Sequence, residues 1–495
     1  MHIESGFVEE LSLRAAAKKC VETSLHQMPH LISERSLGDS VDELAEQTGA
    51  RFKAGYAPFL ETLAMPKKGL GPRPISLLSP ETRTLYEALV ERLKPRLPTP
   101  SRSGSIEAHH LFGTTGPQND SIRIVDFDIA ACYEYVDHRI LSEELVIQTL
   151  DAETVSVLKD LLLEMFPRGV GIPQAMEPSH LLADSYLDQV ERNIVRDGYE
   201  VHRYADDFRI IAPSWGEAHE AIERAVDVTR QRGLVLADGK TRIRSVRQIL
   251  EEIQEQEKIL QQYRNKAADE LGSIDYVQVG YEDFEEILLE PDPDQVDFAA
   301  LAQVVEDWVS GDPEQRSVHA QFGARALQVL QAAPERISDE WLVRIAEREP
   351  IRLLNIVRYL AGRPETEENW SSLSKLTKLP RKSPWARLWM MHLGDQLEKK
   401  GWPGEAEFLE WSRTLLTDRY ETVRAEAAWL LAGHKNISFE ELADLFVAST
   451  DVTRIGIAAS AGRMDVGKEN RMAKALKSDS VLSRAAYEWG RVYAG

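Results

Sequence analysis

Three aspartates lie at the ends of β-rich segments, and their carboxylates are the groups in this chain best suited to chemistry. Asp128 ends the segment SIRIVDFDI, and the adjacent pair Asp206 and Asp207 lies between two further β-rich segments. Phosphoryl transfer uses such carboxylates to hold two Mg²⁺ ions about 4 Å apart, which activate an attacking hydroxyl and stabilise the leaving pyrophosphate. Taken alone, adjacent aspartates fit an ordinary acidic turn better. The surrounding sequence therefore has to decide between the two interpretations.

Five sequence blocks occur in a fixed order around these aspartates. They are MPKKGLGPRPI (65–75), VDFDIAACYEYVDH (125–138), GIPQAMEPSHLLADSYLD (171–188), YADDF (204–208) and GLVLADGKTRI (233–243). The series resembles the fingers motif, motif A, motif B, the YxDD motif and motif D of reverse transcriptases. The resemblance covers residues 50–245. Five ordered blocks at sensible spacing make it a specific signal.

The resemblance implies a catalytic metal site at the three aspartates. Asp128 matches the metal ligand of motif A, and the backbone carbonyl of Ile129 matches an additional ligand. Asp206 and Asp207 match the YxDD pair, in which Asp206 is the firmer ligand. Mg²⁺ is the cofactor that the family uses with such oxygen ligands.

Five further residues match positions that contact the nucleotide in the family. Lys67 and Arg73 match the fingers residues that bind the triphosphate, for which a point charge and a planar guanidinium are both suited. Tyr133 matches the steric gate, an aromatic ring that excludes a 2′-hydroxyl and so selects dNTPs. Gln174 matches a residue near the nucleotide and template, and Lys240 matches a general acid for pyrophosphate. The structural alternatives are a core aromatic for Tyr133 and a surface lysine for Lys240.

One position of motif B departs from the family pattern. Reverse transcriptases usually have glycine after the Pro-Gln pair, where this chain has Ala175. Glycine there lets the backbone approach the templating base closely. The alanine therefore bears on how this protein handles a template.

The elements that must position these residues are of mixed type, which predicts an α+β fold. The β-rich segment at 121–129 and the segments flanking the aspartate pair predict strands, the latter as a hairpin with a tight turn. Helical periodicity covers 141–165, 176–197 and 216–233. Together with the motifs, this order predicts reverse transcriptase fingers and palm at 51–244.

Three further parts of the chain are predicted around the fingers and palm. Residues 1–50 are predicted to form an N-terminal helical extension, and 245–297 a thumb-like helix with an acidic linker, because 251–300 contain fifteen acidic and three basic residues. Residues 298–495 show helix after helix, in units of roughly 35–45 residues that are typical of HEAT-like repeats. A helical bundle without repeats is the alternative.

Composition excludes several classes of protein. The chain has 495 residues, of which 43% are hydrophobic and 28% charged, as in soluble globular proteins. Two cysteines exclude a disulfide scaffold and fit a reducing cytoplasm. No 18-residue apolar window predicts a membrane span and no signal-peptide core is present, so we expect a cytoplasmic protein. The net charge of −22 argues against a nucleic-acid coat protein, although 51–100 contain nine basic and four acidic residues.

A palm of this type followed by helical repeats resembles the bacterial abortive-infection and defence-associated reverse transcriptases. The resemblance implies a Mg²⁺-dependent DNA polymerase, a nucleotidyltransferase that acts in antiphage defence. It also implies synthesis without a conventional template, priming from a protein tyrosine with covalently attached DNA, and a homo-oligomer; some relatives use a non-coding RNA. Two alternatives stay open: an ordinary RNA-templated reverse transcriptase, and a non-catalytic RNA-binding scaffold. The intact set of matching residues favours an enzyme.

Three weaker groups of residues are expected to have structural and not catalytic roles. Arg387 and His392 match the loose spacing of a HEPN ribonuclease, but the apolar residues between them indicate a packed helix. His109 and His110 are expected to form a surface pair. The tyrosines considered as protein primers, and more readily explained by helix packing, are Tyr487 and Tyr493.

Overall fold

The computed structural model describes residues 1–67, 71–115, 120–254, 298–310, 323–324, 326–333, 336–464 and 471–493. The chain divides into two compact units, of which one is Val90–Ala300 and the other combines Met1–Leu89 with Leu301–Gly495. The N-terminal helices and the first hairpin therefore belong to the unit of the C-terminal helices. The domain boundaries inferred from the sequence stay a prediction, because they follow family motifs whereas the units follow packing.

Among the described residues, the elements alternate between helices and short strands up to residue 245 and are helical beyond it. The strands are β1 Leu60–Pro66, β2 Pro72–Leu78, β3 Arg123–Asp128, β4 Glu200–Tyr204, β5 Asp207–Ala212 and β6 Arg242–Ser245. The first helices are α1 Ser5–Glu10, α2 Leu13–Glu22, α3 Ile32–Arg35, α4 Val41–Ala54, α5 Pro80–Leu93, α6 Ile106–Leu111, α7 Cys132–Tyr135, α8 His138–Thr149, α9 Ala152–Met165, α10 Glu177–Arg196 and α11 Trp215–Arg230. The C-terminal helices are α12 Phe298–Ser310, α13 Asp339–Arg348, α14 Leu353–Gly362, α15 Glu367–Leu376, α16 Pro384–Gln396, α17 Pro403–Thr414, α18 Glu421–Gly433, α19 Phe439–Ala448, α20 Arg454–Met464, α21 Arg471–Asp479 and α22 Val481–Tyr493.

A four-stranded antiparallel sheet in the order β4–β5–β3–β6 is the centre of the unit Val90–Ala300. The predicted hairpin is confirmed, because β4 and β5 pair on either side of the aspartate turn. In the register of β3 and β5, Asp128 lies opposite Asp207, and Phe127 lies opposite Phe208. The two phenyl rings stack with centroids 4.9 Å apart. Their buried contact fixes the register that brings the two carboxylates to neighbouring strands.

The helices of this unit largely follow the predicted segments. Helices α10 and α11 confirm the predictions at 176–197 and 216–233. The segment 141–165, in contrast, contains two helices, α8 and α9, instead of one. The break occurs at Leu150, whose φ of +56° ends α8 in the left-handed region. Asp151 then begins α9 by accepting the backbone N–H three residues further on, at 3.0 Å.

In the other unit, the N-terminal and C-terminal helices share one hydrophobic core. Cys20 of α2 and Leu44 of α4 are buried in the same cluster as Trp429 of α18 and Ile457 of α20. Burial of a large apolar side chain stabilises the fold by about 1.5–3 kcal/mol. The first helices of the chain therefore obtain much of their core from residues more than 350 positions away in sequence.

The strand β1 is tied to the same helices by a carboxylate. Glu61 accepts hydrogen bonds from the backbone N–H groups of Glu421 and Thr422, at 2.7 and 3.1 Å. These groups lie in the first turn of α18, where backbone donors have no partner within the helix and negative charge is stabilising. A side chain from the β1–β2 hairpin thus caps a C-terminal helix.

The helices α12 to α22 confirm that the described part of the C-terminal region is helical, whereas the HEAT-type repeat stays a prediction. Sequence periodicity does not predict α15 and α21. In α15 the buried residues Trp370, Leu373 and Leu376 occur every third position, but the serines between them weaken the apolar pattern. The helix α21 is short and rich in lysine, so its buried face gives little signal.

Some predicted elements fall outside the described residues. The thumb-like helix is described only to residue 254, with 246–254 helical, and the acidic linker lies outside the described part. Among the described residues, no helix is long and apolar enough to cross a membrane.

Candidate active site

Two neighbouring strands and one turn bring the three predicted aspartates together. Asp128 is the last residue of β3, Asp207 is the first residue of β5, and Asp206 precedes it in the turn. The backbone N–H of Ile129 donates to the carbonyl of Asp206 at 3.3 Å, and the N–H of Ala237 donates to the carbonyl of Asp128 at 2.8 Å. The segment that contains motif D is therefore bound directly to the strand that contains motif A.

The carboxylates repel one another in a partly buried setting. Burial, together with repulsion by Asp206, raises the pKa of Asp128 to about 7, although Lys240 opposes this shift. Burial and the charges of Asp206 and Asp128 raise the pKa of Asp207 to about 8. Such crowding of like charges destabilises the fold unless a cation binds.

A lysine supplies positive charge at this site. Lys240 lies in the short turn before β6, and its Nζ is 2.7 Å from a carboxylate oxygen of Asp128. Burial acts to lower the pKa of Lys240, but the neighbouring aspartates outweigh it and the pKa is raised. The ammonium group therefore stays protonated at neutral pH. The predicted motif D lysine is thus in contact with the predicted metal ligands.

The residues fit a divalent cation in donor type and in charge. Carboxylate oxygens are the ligands that Mg²⁺ prefers, and two of the three carboxylates have raised pKa values that a cation would reverse. Within the described ranges, no group of three or more His, Cys, Asp and Glu side chains is already arranged around an ion position. The ion pair with Lys240 occupies one carboxylate oxygen of Asp128.

A buried polar network, which the sequence did not predict, holds the aspartate turn. Ala205 has a φ of +56°, which an alanine rarely adopts. Its N–H donates to Ser101 Oγ at 3.0 Å, and its carbonyl accepts from Arg203 Nη1 at 3.1 Å. Both partners also bind Asp184 Oδ1 of α10, at 2.6 and 2.5 Å. A charged residue at position 184, within an otherwise apolar stretch of α10, is the one sequence signal for this network.

Two other alanines near the motifs share this unusual backbone conformation. Ala131, three residues after Asp128, has a φ of +48°, and Ala175 has a φ of +67°. Left-handed backbone costs about 1–2 kcal/mol for a residue other than glycine. Ala175 is the position where the family has glycine, so the backbone keeps the glycine-like conformation although the side chain differs. Strain of this kind concentrates at functional sites.

Tyr133 and a histidine of α10 border a recess beside Asp206. The hydroxyl of Tyr133 is 2.6 Å from His180 Nδ1, and the two rings are nearly perpendicular. The recess is small and is lined by Cys132, Tyr133, His180, Ala183, Asp184, Leu187, Ala205 and Asp206. Tyr133 is partly exposed and is therefore not the core aromatic of the structural alternative.

The remaining predicted nucleotide-contacting residues lie in both units. Gln174 is buried in the same unit as the aspartates. Lys67 and Arg73 belong to the other unit, where Lys67 is exposed directly after β1 and Arg73 is partly exposed on β2, opposite Met65.

The weaker groups of residues make contacts of structural type, and the predicted position of His109 is corrected. His109 is not at the surface, as predicted, but buried, and its Nδ1 is 3.0 Å from Nδ1 of His202. Arg387 forms an ion pair with Asp418. His392 contacts the ring of Trp389 edge to face. These are the contacts of packed residues.

Comparison with known proteins identifies the class of domain that this site belongs to. Residues 65–277 match the family described as reverse transcriptase (RNA-dependent DNA polymerase). Residues 65–277 are therefore similar to a reverse transcriptase domain, which bears out the predicted α+β fold and the predicted enzyme class, an RNA-directed DNA polymerase. No curated protein matches the chain in sequence.

Solved structures similar to this chain include telomerases, at low similarity. The telomerase of Candida albicans, in complex with a fragment of telomeric RNA, aligns with 76% of this chain and 64% of its own, at 10% identity and a TM-score of 0.30. The apo telomerase of Candida tropicalis aligns with 94% of this chain and 76% of its own, at 10% identity and a TM-score of 0.31. This chain thus spans less than two thirds of the Candida albicans telomerase, and scores this low support no inference about function.

Proposed function

We propose that this protein is a Mg²⁺-dependent DNA polymerase of the reverse transcriptase type. The observation that carries the proposal is the register of β3 and β5, which sets Asp128 opposite Asp207 with Asp206 beside it. Ordinary acidic turns seldom gather three carboxylates so closely that burial and neighbouring negative charge raise the pKa values of two of them, Asp128 and Asp207. In a nucleotidyltransferase such crowding is useful, because the nucleotide arrives with divalent metal ions whose positive charge offsets that of the carboxylates and the phosphates.

In this proposal, Asp128, Asp206 and Asp207 hold Mg²⁺, with the carbonyl of Ile129 as a further ligand. Bound Mg²⁺ would lower the pKa of the attacking 3′-hydroxyl and neutralise charge on the leaving pyrophosphate. Lys240 carries on its Nζ the proton that the leaving pyrophosphate needs. The raised pKa of this lysine keeps its ammonium group protonated until that transfer.

Four residues are proposed to bind the incoming dNTP. The ring of Tyr133 lies under the sugar and excludes a 2′-hydroxyl, and the recess beside Asp206 fits this role because Tyr133 and Asp206 both line it. Lys67 and Arg73 bind the triphosphate through charge-assisted hydrogen bonds. Gln174 lies near the nucleotide and the template.

We further propose that the polymerase acts in bacterial antiphage defence, in the cytoplasm and as a homo-oligomer. The support is the combination of a reverse transcriptase domain with an all-helical C-terminal region, which resembles the defence-associated enzymes. The same resemblance supports a DNA product attached to a tyrosine of the protein and a companion non-coding RNA. Of the two tyrosines considered as primers, Tyr493 is exposed and Tyr487 is fully buried, which favours Tyr493.

An ordinary RNA-templated reverse transcriptase is the second candidate. The family match favours it, because the matching family is described as RNA-dependent. A non-catalytic RNA-binding scaffold is the third candidate, and the retained carboxylates argue against it. Dependence on added RNA separates the first two, and incorporation of any nucleotide excludes the third.

The test is to incubate the purified full-length protein with Mg²⁺ and each labelled dNTP, with and without added RNA. Products are treated with nuclease, denatured and resolved on a protein gel. We expect incorporation without added RNA, with label retained on the protein. Incorporation that requires RNA and leaves no label on the protein would favour the templated enzyme, and no incorporation in any arm would favour the scaffold.

A further inference from the structure

Tyr133 is held at two points by the segment that contains motif B. Its backbone carbonyl accepts a hydrogen bond from the N–H of Ile172 at 2.9 Å. Its side-chain hydroxyl is 2.6 Å from Nδ1 of His180, which lies in the first turns of α10. The ring of a residue held at both ends has little freedom to turn about its side-chain torsions.

The helix that carries Tyr133 gives the side chain little support of its own. Helix α7 is only four residues long, and the residue before it, Ala131, is in the left-handed region. Tyr133 is also partly exposed toward the recess beside Asp206. Packing therefore constrains the ring of Tyr133 only weakly, and the contact with His180 supplies a further constraint.

We infer that His180 is a positioning residue that fixes the ring of Tyr133 and thereby sets the stringency of sugar discrimination. This inference rests on the proposed function, in which Tyr133 is the sugar gate. A gate excludes a 2′-hydroxyl only if the ring cannot move aside, and a hydrogen bond that resists this movement raises the cost of admitting a ribonucleotide. His180 acts through Tyr133 and does not itself need to contact the nucleotide.

The geometry distinguishes between two conservative replacements of His180. The atom near the Tyr133 hydroxyl is Nδ1, which is bonded to Cγ of the imidazole. The amide of asparagine places a polar atom at the same distance from the backbone, whereas the amide of glutamine places it one bond further away. Asparagine should therefore restore the contact better than glutamine.

The test measures kcat/KM for dATP and for ATP with the full-length protein and a set of variants. Loss of one hydrogen bond should lower the dATP-to-ATP preference about fivefold in His180→Ala and in Tyr133→Phe. The double variant should show no further loss, because both changes remove the same contact. His180→Asn should retain more of the wild-type preference than His180→Gln. His219→Ala, an exposed histidine of α11, is the control and should leave the preference unchanged.

Several outcomes would overturn the inference. One is a His180→Ala variant in which both substrates lose activity equally, since that result indicates a structural role only. Another is additive losses in the double variant. If His180→Ala does not fold, Tyr133→Phe and His180→Asn still decide, because a wild-type preference in Tyr133→Phe means that the hydroxyl contact has no role. If Tyr133→Ala also leaves the preference unchanged, the gate itself is wrongly assigned, and a wild type without any incorporation overturns the proposed function and this inference together.

Discussion

At the scale of single residues, the three carboxylates crowd the end of β3 and the turn before β5 at a cost in stability. The pKa of Asp207 is raised to about 8 by burial and by its two neighbours. The folded protein therefore binds this proton more tightly than the unfolded chain, whose aspartates titrate near pH 4. The contribution of Asp207 to the free energy of unfolding must therefore fall as the pH rises from about 4 to about 8.

We predict that Asp207→Asn stabilises the metal-free protein at high pH. Asparagine has nearly the same shape but carries no charge, so the repulsion disappears. In EDTA at pH 8.5, urea unfolding should show a gain of about 1–2 kcal/mol, which vanishes near pH 4 because the wild-type carboxyl is then protonated. Asp238→Asn, at an exposed position, is the control. A gain that is equal at both pH values would contradict the electrostatic explanation.

Ala175 gives a second prediction at this scale. Its φ of +67° is strained for alanine and relaxed for glycine, so Ala175→Gly should raise the unfolding free energy by about 0.5–1 kcal/mol. The matched control is Ala183→Gly in the interior of α10, where glycine should cost about 1 kcal/mol. Thermal unfolding of both variants would check the opposite signs. The explanation fails if both changes destabilise the protein.

At the scale of elements, the turn between β4 and β5 depends on groups from outside the hairpin. The hydroxyl of Ser101 accepts a hydrogen bond from the N–H of Ala205 and donates one to the carboxylate of Asp184. It therefore connects the turn to α10. Arg203 holds the carbonyl of Ala205 from within β4. The position of Asp206 is therefore set by three elements together.

We predict that Ser101→Ala loosens this turn and weakens the metal site. Removing the hydroxyl leaves the N–H of Ala205 without this acceptor, at a cost of about 1–3 kcal/mol in stability. The Mg²⁺ concentration for half-maximal nucleotide incorporation should rise severalfold. Ser103→Ala is the control, because Ser103 is exposed and donates only to the nearby carbonyl of Pro100 among the contacts of the described residues. Equal Mg²⁺ requirements in the two variants would refute the role of the network.

Much of the local fold follows from the sequence, because α10, α11 and the β4–β5 hairpin have strong periodic patterns. The break between α8 and α9 is not predicted, because the left-handed leucine that ends α8 has no sequence signature, although Asp151 after it is a typical residue immediately before a helix. The same difference applies to the site. Its aspartates belong to local motifs, whereas Ser101 and Ala205 are 104 positions apart and meet only in the folded protein.

At the scale of the whole molecule, segments from the two ends of the chain pack together in one compact unit. Cys20 and Leu44 near the N-terminus share a core with Trp429 and Ile457 near the C-terminus. Glu61 of β1 caps α18. The C-terminal helices are therefore structural partners of the first 89 residues and not an appended module.

We predict that deletion of 298–495 prevents folding of residues 1–89, because their buried apolar surface would be exposed to water. The fragment 1–297 should be insoluble or should show exposed hydrophobic surface by dye binding. Co-expression of 298–495 as a separate chain should restore solubility, and serves as the control. A soluble, cooperatively unfolding fragment 1–297 would show that the shared core is dispensable.

The most direct test of the central claim is the rate of nucleotide incorporation by Asp206→Asn, compared with wild type and with Asp227→Asn. Asp227 is an exposed residue of α11, so its replacement makes the same chemical change away from the site. We expect Asp206→Asn to fold normally and to lose at least about a thousandfold in rate, because it removes a metal-binding charge from the transition state. Asp227→Asn should match the wild type. Incorporation by Asp206→Asn within a few-fold of the wild-type rate would contradict the polymerase assignment.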